Sequence, residues 1–375
     1  MLWLMALATG LQAAPAPIAN DFSDTEVLAL LPAGFHDTPD TGNPDRLADR
    51  IQGHITRART AGDPRHLGYA MALLEPWPDT AMTDRLRVLR ATLNQSLHRF
   101  DQARADLDTV RSRSAGGQPY LQATLTLANM ELVRGRYGAA RDACNDLATR
   151  YPGLLAQHCL ARVDARTGKA ATAYQRLASA LLQRPPEDPR LRAWVEGTLG
   201  DMAAQQGLVT AVTHWQTVLQ LTPDDLYVRA QLADWQLAAG QPAAAVALTN
   251  GYDSVDPLAI RRVIALQAGG QPDAARSLTR RLRERFDEAL WRGSDLHRRD
   301  YARFLLDIDN RPGDALNYAV ANWRDQREAA DTRLLLRAAQ RAGDEESIRQ
   351  VRQWLASVNQ TDRRFDLPPS GAPLP

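Results

Sequence analysis

The side chains able to do chemistry are few and thinly spread. Seven histidines stand at positions 36, 54, 66, 98, 158, 214 and 297. None falls in a His-Glu-x-x-His pattern, and none pairs with a cysteine at the spacing of zinc ligands. His158 beside Cys159 suggests a metal site, but a partly exposed helix histidine accounts for it. The run Asp307-Ile308-Asp309-Asn310-Arg311-Pro312-Gly313 approaches a calcium loop. Its glycine comes one place late, Arg311 takes a ligand position, and Tyr318 stands where a bidentate Glu is required, so a turn explains it. Gly116-Gly117 and Gly269-Gly270 lack the preceding strand and the partners of a phosphate loop. No Gly-x-Ser-x-Gly elbow occurs. These patterns point away from an enzyme, a cofactor or a bound metal.

Charge narrows the partner. The 45 basic and 44 acidic residues nearly cancel, so no global field directs the chain to nucleic acid. Lys169 is the only lysine; the other basic residues are arginine. The densest run, Arg276 to Arg303, carries nine arginines against five acids. It fits an acidic partner or phospholipid, or a solvated helix face, which is the reading preferred here.

The elements that would position these residues repeat. Gly135, Ala140 and Pro152 recur as Gly168, Ala173 and Pro185, an offset of 33 at each position, and Gly207 and Gly240 keep the same interval. Ala dominates the apolar residues and aromatics are only 6%. Small side chains with high helix propensity allow close helix packing, and no sustained Val/Ile alternation suggests strands. Glycine supplies the positive φ that ends one helix, and proline stops the next. A single helix pair cannot bury its apolar face alone, so stability must come from stacking.

From Leu121 the chain places Leu127-Ala128, Gly135, Tyr137, Ala140, Cys144, Leu147 and Pro152. The next unit gives Leu160-Ala161, Gly168, Ala170, Ala173, Leu177, Ala180 and Pro185; Leu199-Gly200, Gly207 and Pro223, then Leu232-Ala233, Gly240 and Ala245, continue the frame. In these positions the chain resembles the tetratricopeptide repeat (TPR) family. Weaker units follow from Gly62, from Phe100 with Ala103, and from Gly269-Gly270 with Ala274-Ala275; Asn310 with Ala315, and Gly343, supply the last two. The expected fold is all-α: a right-handed α-solenoid of about nine TPR-like helix-turn-helix repeats over residues 46–358. Residues 17–45 read as an extended linker and 359–375 as a Pro-rich disordered tail.

The resemblance implies that the first helix of each pair lines a concave surface. Carried onto this sequence, it nominates Gln122, Leu125 and Asn129; His158, Arg162 and Arg166; Trp194 and Asp201; and Tyr227 and Asp234. Asn129 with Arg162 and Arg166 is similar to the Asn-plus-cation chemistry some TPR grooves use for a peptide carboxylate, although the usual lysines are missing. Trp194 is the preferred anchor, since Trp is enriched at binding hot spots; it would equally fill the wider junction between repeats. Cys144 falls in the second helix of one unit and Cys159 in the first of the next. They form either a disulfide closing a 15-residue loop, worth ~3 kcal/mol in an oxidising compartment, or two small buried thiols.

The apolar stretch from Met1 to Leu11, followed by small residues, makes 1–16 a signal peptide, with Pro15 and Pro17 ending any helix there. Its basic start is missing. No later segment approaches the ~18 apolar residues of a membrane span. The expected protein is a periplasmic or secreted scaffold binding a protein or peptide partner on its concave face in the bacterial cell envelope. Its rivals are a helical auxiliary subunit of a glycan- or polysaccharide-processing system and a cytoplasmic scaffold. Partner identity and oligomeric state stay open at this level.

Overall fold

The structure, a computed structural model, describes residues 42–114, 116–293 and 298–366. The chain divides into the units Met1–Asp40 and Thr41–Pro375, and every described residue belongs to the second. The expected signal peptide and nearly all of the linker lie outside the described residues.

Among the described residues, eighteen α-helices form nine consecutive pairs and there is no strand. The pairs are α1 Pro44–Ala61 with α2 Arg65–Leu74, α3 Asp84–Ser96 with α4 Phe100–Arg113, and α5 Gln118–Val133 with α6 Tyr137–Arg150. Next come α7 Leu154–Arg166 with α8 Ala170–Gln183, α9 Pro189–Gln205 with α10 Thr210–Leu221, and α11 Leu226–Ala238 with α12 Pro242–Leu248. The last are α13 Asp256–Ala268 with α14 Pro272–Trp291, α15 Arg298–Asp307 with α16 Pro312–Asp325, and α17 Ala329–Ala342 with α18 Glu345–Ser357. The array opens at Pro44 because Asn43 caps α1: its side chain accepts from the backbone of Asp45 and Arg46 at 2.9 and 3.1 Å.

Each turn inside a pair carries a residue with positive φ: Gly62, His98, Gly135, Gly168, Gly207, Gly240, Gly270, Asn310 and Gly343. Asn310 occupies its expected slot at φ 52°. His98, at φ 59°, is a departure: a β-carbon in that region costs ~1 kcal/mol. Its ring recovers contacts by stacking on Phe100 at 5.8 Å and meeting Gln326 at 3.2 Å. Just beyond the turns, Ala103, Ala140, Ala173, Ala245, Ala275 and Ala315 are buried, so the second helix lies close against its partners. First helices of neighbouring pairs approach one another along the array, α3 with α5 and α11 with α13 for example. They form the inner layer of a helical-repeat solenoid, with the second helices outside.

The coil is tight enough for distant repeats to meet. The Gly62 turn faces Leu226 and Val255, Gly135 faces Trp354 and Arg327, and Gly168 and Gly207 face Asn359 and Arg363. A β-carbon on Gly135 would come within 2.8 Å of the Trp354 ring, so that position needs glycine for approach as well as for φ. The Arg327 backbone N–H donates to the Val133 carbonyl at 2.7 Å, while its guanidinium lies 4.2 Å from the Trp323 ring and 5.2 Å from the Trp354 ring.

Two expectations are corrected. The disordered tail does not begin at 359, because Gln360 and Asp362 are buried and bonded. Tyr137 Oη donates to Gln360 Oε1 at 2.9 Å, Gln205 Nε2 to the Thr361 carbonyl at 2.7 Å, and a 3-10 turn at Arg363–Phe365 closes the segment. The prolines that suggested disorder start at Pro368, outside the described residues. Along α14 the arginine run is a solvated face, as expected: Arg276, Arg280, Arg281 and Arg283 are exposed, and Arg281 pairs with Asp253 at 2.9 Å, Arg283 with Asp309 at 2.6 Å and Arg285 with Asp256 at 2.8 Å. The second correction concerns His158, which is fully buried rather than partly exposed. The cysteine alternative resolves: Cys144 on α6 and Cys159 on α7 are buried and joined by a disulfide.

Candidate functional site

On the inner layer, α7, α9 and α11 bring together residues that are far apart in sequence. Asp188 caps α9, accepting from the Arg190 N–H at 2.8 Å, and Pro189 opens the helix. Trp194 then emerges on the inner face, 40% exposed, with its ring 4.2 Å from that of His158 on α7. Asp225 caps α11, accepting from the Val228 N–H at 2.8 Å, and presents Tyr227, 51% exposed. These helices surround a cavity of about 250 Å³ lined by Arg162, Arg166, Trp194, Asp201 and Tyr227, with Glu328 contributed from the start of α17. A second hollow of about 470 Å³ between α7 and α8 is walled largely by Ala and Gln and gathers fewer charged groups.

The cavity's polar groups are held in fixed directions. Asp201 accepts from Tyr227 Oη at 2.8 Å and from Trp215 Nε1 at 3.3 Å, and Gln231 Nε2 donates to Tyr227 Oη at 3.1 Å. Burial raises the Asp201 carboxyl above its ordinary value. Gly200, singled out as half of a repeat signature, has a local reason: a β-carbon there would lie 2.5 Å from Trp215 Nε1. Arg162 Nη2 donates to Asn129 Oδ1 at 2.8 Å, and burial pushes its guanidinium below the usual value. Arg166 Nη1 is buried with no hydrogen-bond partner.

The nominated residues thus divide. Arg162, Arg166, Trp194, Asp201 and Tyr227 converge on one cavity, and Asn129 orients Arg162 from α5. His158 instead serves the core, with Nε2 2.7 Å from Thr198 Oγ1; burial, aided by the Arg162 charge, pushes its imidazole well below 6.5. Asp234 is spent on two arginines, Arg261 and Arg303, each at 2.6 Å. Burial opposes its charge, yet those guanidiniums hold its carboxyl well below the carboxylate range. Leu125 packs against the core, and Gln122 is exposed on α5 away from the cavity lining. Sequence reasoning missed Thr198, Gln205 and Glu328. The only sequence signal for Glu328 was its spacing to Asp331, with which it forms a capping box on α17. That spacing marks a helix start and carries no hint of a cavity.

The fold and this inner wall define an all-α helical-repeat protein. Among solved structures, the crystal structure of the P58(IPK) TPR domain is similar to it, covering 82% of this chain and 90% of its own at 13% identity and a TM-score of 0.22. At that level of superposition the likeness adds nothing to what the helix pairs show. No family model and no curated protein matches the chain.

Proposed function

We propose that this protein is a non-catalytic adaptor of the bacterial cell envelope whose inner wall receives a segment of a protein partner at the rim formed by Trp194 and Tyr227. The observation that supports this most directly is the convergence of Arg162, Arg166, Trp194, Asp201 and Tyr227 from three successive first helices on one cavity. Two aromatic rings left exposed beside ordered charges form the kind of anchor from which binding energy is drawn. Export is favoured by the apolar start of the sequence and by the Cys144–Cys159 bond, which an oxidising compartment maintains.

The test is site-specific photocrosslinking in the producing cell. A benzophenone amino acid at position 194 should give a discrete higher-mass adduct. The same group at Leu182, 83% exposed on the second helix α8, should not. Equal labelling at both positions, or none at 194, removes the rim as a partner surface. Mature protein that still begins at Met1 removes export.

A further inference from the structure

The floor of the cavity holds two guanidiniums, and its wall three carboxylates that form no ion pair with them. Several other arginines on the array's buried surfaces are matched: Arg261 and Arg303 by Asp234, Arg299 by Asp331, Arg337 by Asp307, Arg364 by Asp362. Arg162 and Arg166 make no ion pair among the described residues. They lie one turn apart on α7, the spacing at which like charges repel. One nitrogen of Arg162 is given to Asn129, a neutral acceptor, and Nη1 of Arg166 has no acceptor at all.

The carboxylates sharing the cavity are already committed. Asp201 is held by Tyr227 and Trp215, Asp225 caps α11, and Glu328 caps α17 with Arg299 3.5 Å away. A buried guanidinium nitrogen without an acceptor costs stability. That nitrogen of Arg166, beside the Arg162 guanidinium on the same cavity, is a donor arrangement that grips a planar carboxylate or a phosphate. The space is small: about 250 Å³, under the ~300–1,000 Å³ usual for drug-sized ligands. Glu328, arriving from the far end of the array, takes part in its wall, which suits a compact molecule better than a chain passing through. Trp194 and Tyr227 supply flat apolar surfaces beside the two guanidiniums.

We propose that this cavity binds a small organic anion, a carboxylate or phosphate ester with a flat apolar body, its charge clamped by Arg162 and Arg166 and its body laid against Trp194. The inference rests on the cavity being a recognition site. It does not depend on which macromolecule meets the rim, so crosslinking can fail at position 194 while this holds.

The test uses the purified full chain in isothermal titration at fixed ionic strength. The probes are phenyl phosphate, benzoate, and a short peptide with either a free or an amidated C-terminus. Saturable one-to-one binding of phenyl phosphate or benzoate is expected, and which of the two binds separates the phosphate from the carboxylate source. Affinity should fall at least tenfold in Arg162→Gln and in Arg166→Gln. Without ligand, Arg166→Gln should melt at or above the wild-type temperature, because it removes an unpartnered buried cation; a merely structural arginine would lower it. The proposal is overturned by absence of saturable binding to either aromatic anion, by binding that survives Arg166→Gln, or by a lower melting temperature in that variant. Binding of the free-carboxylate peptide alone would assign the clamp to a partner's chain end and overturn it too.

Discussion

Asp234 offers the sharpest test of how the array is held together. It sits between Arg261 of α13 and Arg303 of α15, with side-chain exposures of 20%, 9% and 17% respectively. Asp234→Asn keeps the shape and deletes the charge, leaving two guanidiniums from neighbouring first helices facing each other. Removing one partner of a buried ion pair costs ~3–5 kcal/mol. Arg303 would retain Asp307 at 3.5 Å, and Arg261 would retain the carbonyls of Ala230 and Pro257 at 3.0 and 2.6 Å. The loss should therefore fall at the lower end, about 3 kcal/mol. Spread over the unfolding entropy of ~320 described residues, that is a drop in melting temperature of roughly 5 °C by calorimetry. The same variant should change the acid limb. A carboxyl held well below its unfolded value contributes stability above about pH 4 that disappears as pH falls through the folded value. The wild type should thus lose stability below about pH 4 more steeply than the variant. A melting shift under about 1 °C, with parallel acid limbs, would refute the reasoning and return Asp234 to the groove.

Three further outcomes follow from single features. Reducing the Cys144–Cys159 bond, or replacing both residues by Ser, should cost about 3 kcal/mol in urea unfolding; identical curves with and without reductant would deny it any stabilising part. Gly135→Ala should cost about 2–4 kcal/mol and enlarge the radius of gyration in small-angle scattering, because the new carbon meets Trp354 at positive φ. Gly138→Ala, with nothing within 4 Å of the added carbon, should be neutral or slightly stabilising, and equal effects at both sites would dismiss the contact between distant repeats. His158 is kept neutral by burial, so the unfolded chain takes up its proton first, and the stability it contributes is present above about pH 6.5 and lost as pH falls. His158→Gln should melt with less dependence on pH between 7.5 and 5; parallel profiles for the two proteins would exclude this residue as the source.

The repeat was legible because its causes are local. Gly135, Gly168 and Gly240 end helices where only a residue tolerant of positive φ can, and Asn310 could be read into the same slot for the same reason. His98 was less legible, since histidine adopts positive φ far less readily than glycine; Phe100 beneath it and Gln326 from the far end of the array hold it. Part of the site was legible as well: the repeat resemblance named Arg162, Arg166, Trp194 and Asp201 as inner-face residues, and helix spacing in threes and fours keeps those of one helix on a shared face. That spacing could not tell an inner face that meets solvent from one that meets another helix. His158 and Asp234 were nominated on the same grounds, and one lies under Trp194 while the other lies between two arginines.

By itself, then, the order of residues specified a chain of helix pairs, where each pair turns, and the two cysteines within reach of each other, since all of these depend on neighbours within one or two repeats. How tightly the array coils was settled only in three dimensions. Curvature accumulates from small packing offsets at every pair and has no signature at any one of them. Through it, Glu328 reaches the wall beside Arg162, residues 359–366 lock against Tyr137 and Gln205, and Nη1 of Arg166 is left without a hydrogen-bond partner.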